Sequence, residues 1–180
     1  LYAPTSGIWQ SVWLEPLPAD NALLRVAAET RPDLKGASVT VESEAPADVR
    51  LVVDLPGGAS LELEGRSGEP IDFSPSEPRA WTPDNPWLYR CRAELLGAGG
   101  EVLDAAMSYF ALRTVGLGPI PGRPGDRPAV LLNGEPVFLN TPLDQGYWPE
   151  SGMTPPSDEA LVFDLEAMRA LGFNGVRKHV

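Results

Sequence analysis

The stretch ASVTVESE, residues 37–44, sets Val39 and Val41 on one parity and Thr40 and Glu42 on the other. Successive side chains of an extended chain point to opposite faces, so one face of this segment meets a core and the other meets water. It predicts a half-buried β-strand. The same grammar runs outward from it: ALLRVAAET (22–30) before, then DVRLVVDL (48–55), ASLELEG (59–65), PIDFS (70–74), WLYRCRAELLG (87–97) and EVLDAAMSYFALRTV (101–115). Turn sequences separate them: RPDLKG, APA, PGG, SGE and GAGG. About seven short strands over about 95 residues predict an antiparallel, immunoglobulin-like β-sandwich. The Cys…Trp…Cys pattern of antibody domains is absent, so that expectation concerns architecture only.

Composition supports a folded, mainly β chain. Of 180 residues, 43% are hydrophobic and 22% charged, which argues against disorder. Twenty prolines and eighteen glycines, spread along the chain, supply frequent turns. A formal net charge of -11 opposes phosphate backbones and anionic membrane surfaces, so nucleic acid is not an expected partner. No run approaches the ~18 apolar residues of a membrane-spanning helix. The lone Cys91 excludes an intrachain disulfide and reads as a small buried or half-buried side chain. LYAPTSGIWQ (1–10) has no basic patch, no apolar core and no initiator methionine, so a signal peptide is not expected there. The expectation is a segment cut from a longer protein, which leaves its compartment open.

Two further regions depart from this grammar. In GIWQSVWLEPLP, Ile8, Gln10, Val12 and Leu14 share one parity while Trp9 and Trp13 occupy the other. Both faces carry apolar bulk, which predicts a strand covered on both sides or one joining two units. After the sandwich, GPIPGRPGDRP (118–128) is too rich in proline and glycine for helix or ladder and reads as a linker. AVLLNGEPVFLN then places Asn133-Gly134 between two apolar runs, a hairpin signal. A loop follows, then SDEALVFDLEAMRALG, whose Leu161, Leu165, Met168 and Leu171 recur at helical spacing. Ser157 is placed as N-cap, Asp158 and Glu159 suit the helix dipole, and Gly172 suits the C′ position. FNGVRKHV resumes as a strand. Strand, loop, helix and strand in that order predict a β-α-β unit of a parallel sheet.

Five stretches together resemble glycoside hydrolase family 2, the family of β-galactosidases, β-glucuronidases and β-mannosidases. SGIWQSVWLEP resembles the strand by which an N-terminal jelly roll hands over to the immunoglobulin-like domain. WTPDNPWLY and SYFALRTV resemble phrases within that domain and its closing strand. LLNGEPVFLN is similar to the hairpin and first strand of the catalytic barrel, and LEAMRALGFNGVR to its first helix and second strand. The resemblance implies residues 1–16 as the handover strand, 17–117 as the sandwich, 118–128 as the linker, and 129–180 as an incomplete β-α-β start of a (β/α)8 barrel. A complete barrel takes about 250 residues.

In the family the reaction is glycosidic bond hydrolysis by a retaining double displacement through two glutamates on later barrel strands. Both are expected beyond Val180, so no catalytic residue is assigned here and the 180-residue chain is expected to be inactive, its sandwich acting as scaffold. Barrel active sites gather where strands end. For the first strand that region carries Asn140, Asp144, Gln145, Tyr147 and Trp148, polar and aromatic groups suited to sugar hydroxyls and ring faces. Glu150, in the same loop, is the least implausible stand-in for a catalytic carboxylate. For the second strand it carries Arg177 and His179. The resemblance implies Asp144, Gln145, Trp148, Arg177 and His179 as carbohydrate-binding residues of the longer enzyme. The family often shows Arg-x-Ser-His at the second strand; Arg177-Lys178-His179 is one residue shorter, and such a shift reverses the face presented. The loop LDQGYWPESG departs from the Asn, Arg and His expected there, so no sugar specificity transfers.

The other chemistry-bearing residues read as structural. Trp81, Trp87 and Tyr89 suggest packing rather than a sugar platform. One histidine and one cysteine far apart make no metal site, and GLGPIPG and DLPGG read as turns, so no cofactor or metal is expected. Leu131, Val137, Phe138, Leu139 and Val176 belong to strands expected to be covered. They predict burial against the sandwich or self-association through another chain. The rival reading is a non-catalytic carbohydrate- or protein-binding sandwich with an accessory hairpin and helix.

Overall fold

In the computed structural model, residues 6–8, 10–123, 125 and 127–179 are described. The chain divides into two compact units. One is Pro16–Val137; the other comprises the stretch from Phe138 onward with the described residues up to Glu15.

The first unit is mainly β, as the alternation predicts. All seven expected strands form: β1 Leu23–Thr30, β2 Ala37–Ser43, β3 Asp48–Asp54, β4 Ser60–Arg66, β5 Pro70–Phe73, β6 Tyr89–Leu96 and β7 Val102–Phe110. They pair antiparallel in two sheets, one in the order β1-β2-β5 and the other β4-β3-β6-β7. Their inner faces close over one core, which makes this unit a β-sandwich. Ala37, Val39 and Val41 of β2, with Ile71 and Phe73 of β5, meet Val49, Leu51 and Val53 of β3 and Tyr89, Cys91, Ala93 and Leu95 of β6. The register stacks like with like: Leu51 lies opposite both Leu63 and Ala93, and Val53 opposite Cys91. Cross-strand pairs of this kind are the unit of sheet stabilisation.

An aromatic cluster anchors one end of the core. Phe73 meets Tyr89 and Phe110 edge to face at 5.0 and 5.2 Å between centroids, and Tyr89 stacks on Phe110 at 5.6 Å. The Tyr89 hydroxyl accepts the Arg79 N–H at 2.7 Å, so its polar tip is satisfied. Trp87 packs edge to face on Tyr89, and Trp81 lies under the Arg113 guanidinium at 4.8 Å. Trp87 and Tyr89 thus pack on the core of this unit. On the outer face of the four-stranded sheet, Glu94 is only 7% exposed. Its two carboxylate oxygens accept from Arg92 and Arg50 at 2.7 Å each, and these bonds hold the carboxyl below its ordinary range.

The long strand expected over 101–115 divides in two. β7 ends at Phe110, Leu112 makes an isolated bridge to Ala80, and β8 Val115–Gly118 begins a separate sheet. There β8 pairs with β9 Ala129–Leu132, which forms the predicted hairpin with β10 Glu135–Val137. Asn133 (φ 53°) and Gly134 (φ 82°) both take the left-handed conformation that a two-residue hairpin loop requires.

In the second unit, β11 Leu143–Asp144 and β12 Arg177–Lys178 pair in parallel across α1 Asp158–Ala170. Backbone bonds extend this pairing: Asn174 N–H donates to Asn140 C=O at 3.1 Å, and Arg177 N–H to Pro142 C=O at 2.9 Å. The parallel pairing thus falls at Leu143–Asp144, after the LLNGEPVFLN stretch expected to hold the hairpin and the first strand. α1 starts as read from sequence, the Ser157 hydroxyl accepting the Ala160 N–H at 3.2 Å. It ends in a Schellman turn, with Phe173 N–H on Met168 C=O, Gly172 N–H on Arg169 C=O, and Gly172 at φ +89°.

One expectation fails. Residues 10–15 make no ladder among the described residues; Val12, Trp13 and Leu14 are exposed, as is Ile8, and Trp9 lies outside the described residues. Alternation makes a strand only where a neighbouring strand supplies hydrogen-bond partners. In the second unit Phe138 is 85% exposed and Leu139 is also exposed. Val137, Leu131 and Val176 are half-buried.

Two measurements check this core. Leu51→Ala should cost about 2–5 kcal/mol in urea denaturation, against about 0.5 kcal/mol or less for exposed Met107→Ala. Burial pushes the Cys91 thiol up to about 11, so iodoacetamide near neutral pH should label it only on unfolding.

Candidate functional site

The expected sugar-binding residues of the first strand do come together. Asp144 ends β11, and the chain then turns through Gln145, Gly146 and Tyr147 to Trp148. With Asp164 and Met168 of α1 these residues line a shallow cavity of about 260 Å³. Asp164 and Met168 are four apart, one turn, and so share a face of the helix. Trp148 is held by a small closed loop: its N–H donates to Gly152 C=O at 2.8 Å, and Gly152 N–H returns to Trp148 C=O at 3.0 Å.

Asp144 organises the loop. One carboxylate oxygen accepts the Gly146 N–H at 2.7 Å, an Asx turn, and the other lies 2.7 Å from Lys178 Nζ. The lysine bond holds the carboxyl below its ordinary range, with the Gly146 amide adding to the effect and partial burial opposing it. Asp144 is thus a fixed anion that accepts hydrogen bonds, rather than a proton donor near neutral pH.

Arg177 and His179 stand apart from this cavity. Both are exposed and neither lines it. Alternation along β12 sends them to the face opposite Lys178. Their backbones still serve the site, because His179 N–H donates to Asp144 C=O at 2.7 Å. Asn140 is drawn into the strand pairing instead: its N–H donates to Asn174 Oδ1 at 2.8 Å. Glu150 is exposed and does not line the cavity.

Sequence reasoning missed Lys178 and Asp164. The signal for Lys178 is the parallel register, which sets Asp144 directly opposite it. The signal for Asp164 is its one-turn spacing from Met168. Among the described residues, no group of three or more His, Cys, Asp or Glu is placed to hold a metal ion. A larger open cavity, about 680 Å³, lies in the sandwich unit beside Trp81, Tyr109, Arg113 and Glu29.

A family model described as glycosyl hydrolases family 2 matches residues 8–113, more than half of the chain. The chain belongs to glycosyl hydrolases family 2. Among its relatives, a β-galactosidase of Lactococcus lactis is 25% identical over 175 residues, covering 96% of this chain and 16% of that protein. β-Galactosidase 2 of Enterobacter cloacae is 31% identical over 129 residues, 68% of this chain and 11% of that one. Among solved structures, a β-glucuronidase from Ruminococcus gnavus in complex with D-glucuronic acid superposes with a TM-score of 0.71 at 20% identity. It covers 89% of this chain and 26% of its own. This family 2 chain therefore spans between 11% and 26% of the length of these three proteins.

Gly146 has φ +67°, and a Cβ there would meet Lys178 Nζ at 2.7 Å. Gly146→Ala should therefore strain the loop through its positive φ and push the Lys178 ammonium aside, seen as altered Asp144 and Trp148 resonances with the sandwich spectrum unchanged. Asp144, ordinarily near 3.8, should titrate below that value. Its contribution to stability should be present above the unfolded value and lost as pH falls through the folded one.

Proposed function

We propose that this chain is the immunoglobulin-like domain and the opening β-α-β portion of a (β/α)8 barrel in a retaining family 2 glycosidase. Its substrates would be β-linked glycosides, the class named in the relatives β-galactosidase and β-glucuronidase. The observation that carries the reading is the Asp144–Trp148 loop, an anionic acceptor, an amide and an indole gathered where a parallel strand ends.

The sandwich supports the finer fold. Its seven strands divide three and four, and Tyr89 opens β6 two residues before Cys91 with its hydroxyl on an upstream backbone N–H. This resembles the tyrosine corner of immunoglobulin-like domains, with a longer reach back along the chain, and supports the reading. The parallel β11-α1-β12 unit supports the barrel assignment, since parallel strands need a helical crossover of this kind.

In this reading Asp144 and Gln145 bond sugar hydroxyls, and Trp148 offers a ring face to the C–H side of the sugar. Small-molecule sites run from about 300 to 1,000 Å³, so the 260 Å³ cavity is one wall of a site, not the whole. Arg177 and His179, exposed at the end of the neighbouring strand, would meet the substrate beyond that wall. Retaining hydrolysis needs two carboxyl groups about 5–5.5 Å apart, one attacking the anomeric carbon and one protonating the leaving oxygen. We assign those groups to glutamates beyond Val180.

The test compares the 180-residue chain with the chain extended through its downstream coding sequence, on nitrophenyl β-galactoside and β-glucuronide. The extended protein should hydrolyse at least one and the 180-residue chain neither. In the extended protein Trp148→Ala should lower kcat/KM about tenfold, equivalent to about 1.4 kcal/mol. Hydrolysis by the 180 residues alone would refute the assignment of the glutamates.

A further inference from the structure

Lys178 touches the loop at two points. Its ammonium pairs with Asp144 Oδ2 at 2.7 Å, while Asp144 Oδ1 accepts from Gly146 N–H. The end of the lysine side chain also occupies the space a Gly146 side chain would need: a Cβ there would stand 2.7 Å from Nζ and 3.2 Å from Cε. Register puts the two charged residues directly opposite each other, and the His179–Asp144 backbone bond holds the strands at that spacing. Lysine, carboxylate and glycine therefore form one clasp between β12 and the loop that leaves β11.

The Lys178 side chain is 52% exposed, and exposed ion pairs add little to stability. The consequence of the clasp is geometric: both Asp144 oxygens are engaged, so the direction of the carboxylate and the first turn of the loop are set together. We propose that Lys178 is a positioning residue that fixes the Asp144–Trp148 loop so that Gln145 and Trp148 are presented to the sugar. The sugar-facing part of this rests on the function proposed above; the clasp itself rests on the contacts. The charged groups facing Asp144 are Lys178 from β12 and, across the cavity, Asp164 from α1.

Lys178→Met keeps the stem and removes the charge; Lys178→Arg keeps the charge. In the 180-residue chain, amide exchange at Gly146 should accelerate at least tenfold in the Met variant and return most of the way in the Arg variant. The Asp144 carboxyl should titrate higher in the Met variant, while sandwich amides report an intact fold. Unchanged Gly146 exchange would overturn the clasp. Asp144→Asn, which keeps an acceptor for Gly146 and loses the ion pair, gives a second reading: exchange should accelerate there too, and unchanged exchange would again count against it.

In the extended enzyme Lys178→Met should raise KM about tenfold with kcat kept within about twofold, rescued by Lys178→Arg. Faster exchange with an unchanged KM would overturn the positioning role. An extended wild-type protein without glycosidase activity would instead sink the proposed function, and Gly146 exchange would then decide the clasp alone.

Discussion

The constraint on which the sandwich depends is the period of two in an extended chain. Val39 and Val41 must face the same way, as must Val49, Leu51 and Val53, so a single dry layer forms wherever two such faces meet. A one-residue slip in β3 would turn Leu51 to water and bring Arg50 and Val52 inward. Arg50 is also the partner of Glu94 on the outer face, at a register position directly opposite it. Core and surface thus specify the same register by independent means. Agreement between levels of this kind is what separates one native pairing from its neighbours.

Where the alternation ends, order passes to single polar groups. Asn133 shows how much one side chain can hold. Its Oδ1 accepts the Thr114 N–H at 3.0 Å and its Nδ2 donates to Trp81 C=O at 2.9 Å, while its backbone adopts φ 53° in the hairpin turn. The residue that makes the β9–β10 turn also ties that hairpin to the segment after β7 and to the loop before β6. Trp81, fixed by its carbonyl, is in turn covered by the Arg113 guanidinium. Each of these is a local contact between residues far apart in sequence.

Legibility in the sequence follows the same division. The seven sandwich strands, the Asn-Gly turn, the Ser157 cap and the Gly172 stop were readable because each is written in adjacent residues. β8 was hidden: VGLG has two glycines in four positions and no polar side chain to contrast with Val115 and Leu117, and it becomes a strand only because β9 offers it a ladder. The described residues 10–14 failed the other way, with alternation but no neighbouring ladder. At the site, Asp144, Gln145 and Trp148 could be found because they share one loop. Lys178 lies 34 residues from Asp144, and only the parallel register reveals the pair. His179, chosen for its chemistry, contributes its backbone N–H to the pairing and keeps its ring out of the cavity.

The second unit is ordered by a different balance of forces. α1 has 13 residues and buries none of them fully; Val162, Phe163 and Leu165 are exposed. A helix of that length is marginal in water on propensity alone. What it does have is a side-chain cap, two acidic residues in its first turn and a Schellman stop, each worth a fraction of a kcal/mol to about 1 kcal/mol. The strands beside it are two residues long, and their loop is held by one carboxylate shared between a lysine and a backbone amide. Hydrophobic burial is non-directional and tolerates small displacements, whereas a carboxylate engaged on both oxygens does not. A loop whose position rests on hydrogen bonds depends on the second kind of constraint. The polar clasp at Asp144 supplies it at the point where the apolar pattern of the chain has least to say.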